Sequence, residues 1–113
     1  MMFSKLSGVV LTAFAFTTNA AVLNMYSDEN CESWVGSRNV WDNTCAEGVP
    51  GFQSFVIASG GGGGQLVTTW SPDACAGAYT NCVSAGSVGQ CFLATDYAGG
   101  SNAISSSYAC GSV

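Results

Sequence analysis

Carboxylates are the side chains of this chain that could do acid–base chemistry, because its 113 residues include seven acidic residues and no histidine. Asp28, Glu29 and Glu32 cluster in one short segment, and Asp42 and Glu47 flank a cysteine. A glycosidase uses two carboxyl groups across a cleft, one of them with a raised pKa. A domain of this size can hardly enclose such a cleft. We therefore expect these carboxylates to be solvated turn residues and the protein not to be an enzyme.

Nucleophilic catalysis is not expected either. Without histidine, neither a serine nor a cysteine can be activated by an imidazole base. The even number of cysteines predicts three disulfides in an oxidising compartment. No two cysteines have the Cys-x-x-Cys spacing of a zinc site. The six cysteines are Cys31, Cys45, Cys75, Cys82, Cys91 and Cys110.

The three tryptophans could bind a ligand by stacking, since sugar rings stack on exposed indoles. Aromatic side chains also dominate burial in small domains, and we expect Trp70 to lie in the core. Trp34 and Trp41 have opposite parity on a regular strand. At most one of them should then face solvent, unless a β-bulge intervenes. We take Trp41 as the more exposed candidate and therefore as the candidate binding residue.

The N-terminus has the pattern of a secretion signal. Lys5 precedes an apolar run over residues 9–16, and Thr18 and Ala20 are small residues at the positions that a signal peptidase reads. The apolar run is too short to span a membrane, which takes ~20 residues. We predict a signal peptide over residues 1–20, with cleavage after Ala21 as the alternative, and a single secreted, extracellular domain over 21–113.

The charge of that domain excludes several partners. Loss of the signal peptide removes Lys5 and leaves Arg38 as the only basic side chain. A chain with one cation cannot neutralise a phosphate backbone, so nucleic acid is not an expected partner. Attraction to anionic lipid and membrane insertion are not expected for the same reason.

The elements that must position these residues are strands, because no apolar set recurs at helical spacing. Short runs rich in apolar and β-branched residues alternate with turn residues, as in a sandwich or barrel. These runs cover 22–26, 33–41, 52–58, 65–70, 90–95 and 106–110.

One pattern occurs twice: an aromatic residue, a serine, three residues and a cysteine, at 26–31 and at 70–75. The repeat predicts two similar halves, 21–59 and 65–113, joined by the glycine run 60–64 as a flexible linker. Coincidence in a chain rich in serine, alanine and glycine is the alternative.

We call the two segments 26–31 and 70–75 the corners of the halves. The halves also agree in the residues that follow their corners. Asn43-Thr44-Cys45 corresponds to Thr80-Asn81-Cys82, and Ser54-Phe55-Val56 corresponds to Ser107-Tyr108-Ala109. We expect an all-β fold with two Greek-key-like units in a single disulfide-stapled sandwich. From the repeat we predict disulfides within each half. The predicted pairs are Cys31–Cys45, Cys75–Cys82 and Cys91–Cys110.

The pattern resembles the βγ-crystallin-like fold, and in particular the killer-toxin-like proteins and similar fungal secreted proteins. The resemblance covers nearly the whole of 21–113. It rests on the corner aromatics, a glycine after each corner and a serine in each closing strand. These residues are Tyr26 and Trp70, Gly36 and Gly77, and Ser54 and Ser107.

The resemblance also implies a place to look for calcium. Residues 101–106 are similar to the calcium motif of that fold but have Ser101 where the first Asn or Asp belongs. Asn102 and Ser105 are the candidate ligands. Calcium favours six to eight oxygens including carboxylates, and this segment has none. We therefore expect a degenerate site and no cofactor.

The expected function is that of a non-catalytic secreted protein of killer-toxin or effector type. Its partner would be an extracellular protein or a cell-wall or cell-surface target on another organism. One alternative is a carbohydrate- or cell-wall-binding module, and a second is a calcium-stabilised structural protein.

Overall fold

The computed structural model describes residues 19–95 and 99–113, so residues 1–18 of the predicted signal peptide lie outside the described residues. Every element in the described part is a β-strand, which confirms the all-β prediction. The strands are β1 (Ala20–Tyr26), β2 (Trp34–Trp41), β3 (Thr44–Ala46), β4 (Ser54–Ser59), β5 (Leu66–Trp70), β6 (Tyr79–Ser84), β7 (Cys91–Leu93) and β8 (Ala103–Ser107). No helix in this part has the length and hydropathy needed to cross a membrane.

Two strands were not predicted, and one lies earlier than predicted. β3 has only three residues, and β6 reads Tyr-Thr-Asn-Cys-Val-Ser, so neither has a clear apolar alternation. The closing strand β8 ends at Ser107 instead of beginning near it. The chain beyond it forms a C-terminal tail, residues 108–113.

The strands form two four-stranded antiparallel sheets that each mix the two halves. Sheet A has the order β2-β1-β4-β7, and sheet B has the order β3-β8-β5-β6. Each sheet thus contains the first, second and fourth strands of one half and the third strand of the other. The halves are interlocked, because each four-stranded sheet is completed by a strand of the other half.

The core lies between the sheets. Sheet A supplies Leu23, Met25, Phe55 and Ile57, all fully buried. Apolar residues alternate along β1 and β4 because successive side chains of a strand point to opposite faces. Sheet B contributes smaller and more polar side chains to its buried positions. These include Val67, Thr68, Thr69, Ile104, Ser105 and Ser106.

The disulfide pairing differs from the prediction in all three bonds. The bonds are Cys31–Cys91, Cys45–Cys75 and Cys82–Cys110. The predicted pairs Cys31–Cys45, Cys75–Cys82 and Cys91–Cys110 are wrong. The physical reason is the exchange of third strands. It carries Cys45 into the sheet of the second half and Cys91 into the sheet of the first.

The observed pairing repeats between the halves. The corner cysteine of each half, Cys31 or Cys75, is bonded to the third strand of the other half. The two corner sulfurs also lie in matching places. Cys31 Sγ is 3.6 Å from the carbonyl oxygen of Phe55, and Cys75 Sγ is 3.4 Å from that of Ile104. The third disulfide has no counterpart and holds the C-terminal tail.

The glycine run 60–64 is packed against its neighbours, unlike the free linker that was expected. A Cβ at Gly60 would lie 2.8 Å from the carbonyl oxygen of Ala85. A Cβ at Gly61 would lie 2.8 Å from a carboxylate oxygen of Asp42, which accepts a hydrogen bond from the backbone N–H of Gly62 (3.1 Å). Here the glycines permit a close approach of three chain segments.

Candidate functional site

The outward surface of sheet A is the candidate site, and we call it the outer face of sheet A. It is defined by the residues that alternate with the buried ones, since paired residues of neighbouring strands point to the same side. Its members in the predicted domain are Val22, Asn24 and Tyr26 on β1; Trp34, Ser37, Asn39 and Trp41 on β2; Val56 on β4; and Cys91 and Leu93 on β7.

A β-bulge places both exposed tryptophans on this face. The β1–β2 register shifts between Met25 and Tyr26, so that Trp34 pairs with Tyr26 and Val35 is left over. A bulge reverses the alternation of a strand. Trp34 therefore joins Trp41 on the outer side, which is the exception foreseen in the parity argument. No sequence signal marks the bulge, and for that reason Trp34 was missed as a candidate.

The three tryptophans fall into two groups by solvent exposure, two exposed and one buried. Trp34 is 60% exposed and Trp41 is 47% exposed, whereas Trp70 is 2% exposed. The prediction that Trp70 is buried is confirmed, but Trp70 lies beneath the tail on the outer face of sheet B and not in the core between the sheets. Trp41, the predicted binding residue, is open to solvent, but the prediction that it is the more exposed candidate is wrong, because the bulge leaves Trp34 more exposed. Trp41 pairs with Ala20, the last residue of the predicted signal peptide.

The outer face of sheet A carries no charged side chain among its members. Between the two tryptophans it presents Ser37, Asn39 and the neighbouring Asn24, and the Ser37 hydroxyl donates a hydrogen bond to Asn24 Oδ1. Val22 and Val56 are half-buried beside them. The face thus presents uncharged polar groups between two indoles, one at each end of β2.

The corresponding face of sheet B is covered in part by the chain itself, over β5 and β8 but not over the β6 edge. The tail crosses it, and the backbone N–H of Gly111 donates to Thr68 Oγ1 at 3.2 Å. A Cβ at Gly111 would lie 3.3 Å from the ring of Tyr79 and 3.8 Å from that of Trp70. The Cys82–Cys110 disulfide fixes the tail in this position. Trp70 lies buried beneath it and packs edge to face against Tyr79, which is 49% exposed, with 5.8 Å between ring centroids.

The calcium candidates are engaged in other contacts. Ser105 is fully buried in β8, and its hydroxyl accepts a hydrogen bond from Trp70 Nε1 at 2.9 Å. The side-chain N–H of Asn102 donates to the carbonyl oxygen of Ser71 at 2.7 Å. In the described residues no three His, Cys, Asp or Glu side chains gather where they could hold a metal ion. This geometry does not favour a calcium site at Asn102 and Ser105.

The acidic corner is held by hydrogen bonds to the Asp28 carboxylate. It accepts the backbone N–H groups of Ser33 (2.9 Å), Glu32 (3.1 Å) and Asn30 (3.3 Å). These donors, that of Ser33 most strongly, lower the pKa of Asp28 below its usual value of 3.8. A general acid needs a raised pKa, whereas the pKa of Asp28 is lowered. Asp28 therefore has a structural role in the corner.

The closing serines of the two halves are not equivalent. Ser54 pairs with Tyr26, and its hydroxyl accepts from Cys31 N and donates to the Asp28 carbonyl. In the second half it is Ala103 that pairs with Trp70. Ser107 lies four residues later and donates to the carbonyl oxygen of Ala109, at the start of the tail.

The corner glycines are not equivalent either. Gly36 lies within β2 opposite Met25, where a Cβ would be 3.3 Å from the ring of Pro50. Gly77 lies in the loop before β6 and has a φ of +82°, a conformation that favours glycine. The two glycines thus serve different purposes.

No cavity or cleft is present in residues 19–95 and 99–113. The exposed features that remain are surfaces, and the outer face of sheet A is the one that carries two tryptophans. The chain matches no known protein family, no curated protein and no solved structure.

Proposed function

We propose that the protein is a non-catalytic secreted protein of killer-toxin or effector type that binds an extracellular or cell-surface target through the outer face of sheet A. The observation that carries this proposal is the contrast between the sheets. On sheet B the tail buries the corner tryptophan Trp70, whereas in the described residues Trp34 and Trp41 on sheet A are 60% and 47% exposed. Exposed tryptophans are the residue type most enriched among binding hot spots.

Secretion is supported by the disulfides together with the signal pattern. Three disulfides in a small domain are compatible with an oxidising compartment and stabilise a core of limited size. The non-catalytic assignment is supported by the missing histidine and by the lowered pKa of Asp28. A persistent scaffold that displays one surface fits a protein acting outside the cell.

The βγ-crystallin-like relationship is part of the proposal. Within each half the fourth, first and second strands lie side by side, which is the order of a Greek key, and the third strand crosses to the other sheet. The corner disulfides and the strand bulges occur at matching places in the two halves. These correspondences support a duplicated Greek-key-like origin.

The test is binding of the labelled, secreted protein to intact yeast and plant cells and to the same cells without their walls. We expect Trp34→Ala and Trp41→Ala to reduce binding at least tenfold. Tyr108→Ala is the matched control, because Tyr108 is 70% exposed but lies on the tail. Retention of binding by both tryptophan variants would show that another surface is used.

A carbohydrate- or cell-wall-binding module is the second candidate. It is favoured by the position of Trp34 and Trp41 on one face with uncharged polar groups between them. Incubation with insoluble chitin and β-glucan tests it. Absence of the protein from both pellets would remove this candidate and leave a protein target.

A further inference from the structure

The outer face of sheet A has the layout of an elongated site along β2. Trp34 and Trp41 stand at its two ends, and a strand rises ~3.3 Å per residue, so their attachment points are about 20 Å apart. Ser37 and Asn39 lie between them on the same side. A ligand that contacts both indoles must therefore be long and extended.

The side chains of this site select an uncharged ligand. Asn39 offers both donors and an acceptor, Asn24 offers its side-chain N–H groups, and the Ser37 oxygen can accept a hydrogen bond while its hydroxyl donates to Asn24 Oδ1. No member of the face is charged, so an ionic polymer would lose hydration here without gaining a partner. A neutral polymer that carries many hydroxyl groups and flat apolar ring faces matches both kinds of group.

Sheet B contains the same kind of aromatic pair, in contact with a neighbouring chain segment. There the positions that match Tyr26 and Trp34 are Trp70 and Tyr79, since each pair is joined across the same bulge. There Gly111 of the tail lies against both rings and Trp70 is 2% exposed, although Tyr79 remains 49% exposed. Among the described residues no segment buries Trp34 of sheet A in this way, since it is 60% exposed.

We propose that the outer face of sheet A binds a single extended chain of a neutral polysaccharide, with Trp34 and Trp41 stacking on two separate sugar rings. The inference rests on the proposed function, because it names the ligand class of the same surface. It adds a two-point geometry, in which Ser37 and Asn39 bind hydroxyl groups of the intervening sugars.

Two-point binding has a consequence that single-point binding lacks. Once one indole is occupied, the rest of the same chain is held near the second at a high effective concentration. Long chains should therefore bind at least tenfold more tightly than a disaccharide, which reaches one indole only. With either tryptophan removed, the long chain loses this advantage and should bind no better than the disaccharide.

Calorimetric titration of the secreted protein tests these points. The neutral probes are laminarin, cello-oligosaccharides and chito-oligosaccharides, each compared with its disaccharide. The charged probes are chitosan and polygalacturonate. We expect at least one neutral chain to bind with the length dependence described, Trp34→Ala and Trp41→Ala each to abolish that dependence, and Tyr108→Ala to keep it. Unfolding curves of all three variants should coincide with that of the unchanged protein.

The outcomes separate this inference from the proposed function. Equal affinity for long and short chains, or binding to the charged chains alone, would overturn the two-point neutral site. If no neutral chain binds while cell binding still depends on Trp34 and Trp41, the target is a protein and only this inference fails. If cell binding is independent of both tryptophans, the proposed function fails as well.

Discussion

The outer faces of the two sheets are built alike and used differently. Each begins at an aromatic pair across a bulge, Tyr26 with Trp34 in sheet A and Trp70 with Tyr79 in sheet B. In sheet B the tail buries Trp70, whose indole N–H donates to Ser105, although Tyr79 stays 49% exposed. In sheet A no described segment buries Trp34, which is 60% exposed. The same local structure thus stabilises the fold in one half and is available to a ligand in the other.

Sheet B also has an unusual composition in its closing strand, β8. All five residues of β8 are buried, and three of them are serines. Buried hydroxyls are tolerated when they are hydrogen-bonded. Ser106 donates to Gln65 Oε1 at 2.7 Å, Ser105 accepts from Trp70, and Ser107 donates to the tail. Sheet B therefore depends on specific polar contacts, whereas sheet A depends on apolar packing.

The largest expected difference between the faces comes from truncating one tryptophan on each. Trp70→Ala removes a buried indole and leaves the Ser105 hydroxyl without its donor, which should lower the free energy of unfolding by about 3–5 kcal/mol. Trp34→Ala removes an exposed side chain and should change it by less than about 0.5 kcal/mol. Denaturant unfolding of both variants measures the contrast. Equal losses would mean that the sheet A face is also covered.

The second substitution removes the Cys82–Cys110 disulfide, which holds the tail against sheet B. Cys82 and Cys110 enclose a sequence separation of 28 residues, and their joint replacement by serine should cost about 3.6 kcal/mol by loop-closure entropy. The freed tail should also uncover Trp70. Acrylamide quenching reports this in a Trp34→Phe/Trp41→Phe background, where Trp70 is the only tryptophan.

The matched control for loss of the Cys82–Cys110 disulfide is loss of Cys31–Cys91, the disulfide at the corner of sheet A. Replacement of Cys31 and Cys91 opens a separation of 60 residues and should cost about 4 kcal/mol. It should leave Trp70 as protected as before, because that bond does not touch the tail. If Trp70 stayed protected after loss of Cys82–Cys110, the tail would not need its disulfide to cover sheet B.

The sequence predicted the strands with clear apolar alternation and the duplicated corners, because those depend on local pattern. Tyr26 to Cys31 and Trp70 to Cys75 occupy matching places in the two sheets. The disulfide pairing was not predictable in the same way. It depends on which sheet the short strands β3 and β7 join, and three residues carry too little pattern to show that.

The candidate site was predicted in part for a similar reason. Trp41 followed from exposure on a strand and Trp70 from its expected burial. Trp34 reaches the same face as Trp41 only through a bulge, which depends on the register between β1 and β2. Likewise, the serine motif at Ser107 looked equivalent to that at Ser54, but the pairing of β8 with β5 places Ala103 there.

A smaller difference in stability is expected between the two corners, and substitution of Ser54 measures it. Its hydroxyl accepts from the Cys31 backbone N–H at 3.0 Å and donates to the Asp28 carbonyl at 2.6 Å. Ser54→Ala leaves both groups unpaired and should lower the free energy of unfolding by about 1–3 kcal/mol. Ser54→Thr keeps the hydroxyl and is the control. A neutral Ser54→Ala would show that the first corner, like the second with Ala103, needs no hydroxyl.

The smallest effect is expected from Asp28, which orders the first corner and has Pro72 at the matching place in the second. Because hydrogen bonds from Ser33, Glu32 and Asn30 lower its pKa in the folded protein, its ionised form favours folding. That contribution is present above pH 3.8, the usual pKa, and is lost as the pH falls through the lowered value. Asp28→Ala should therefore melt below the unchanged protein at pH 6, and the gap should narrow towards pH 2. Glu29→Ala, next to it in the same corner, should show no such gap at either pH. A gap that is constant with pH would mean that Asp28 stabilises the corner by packing and not through its charge.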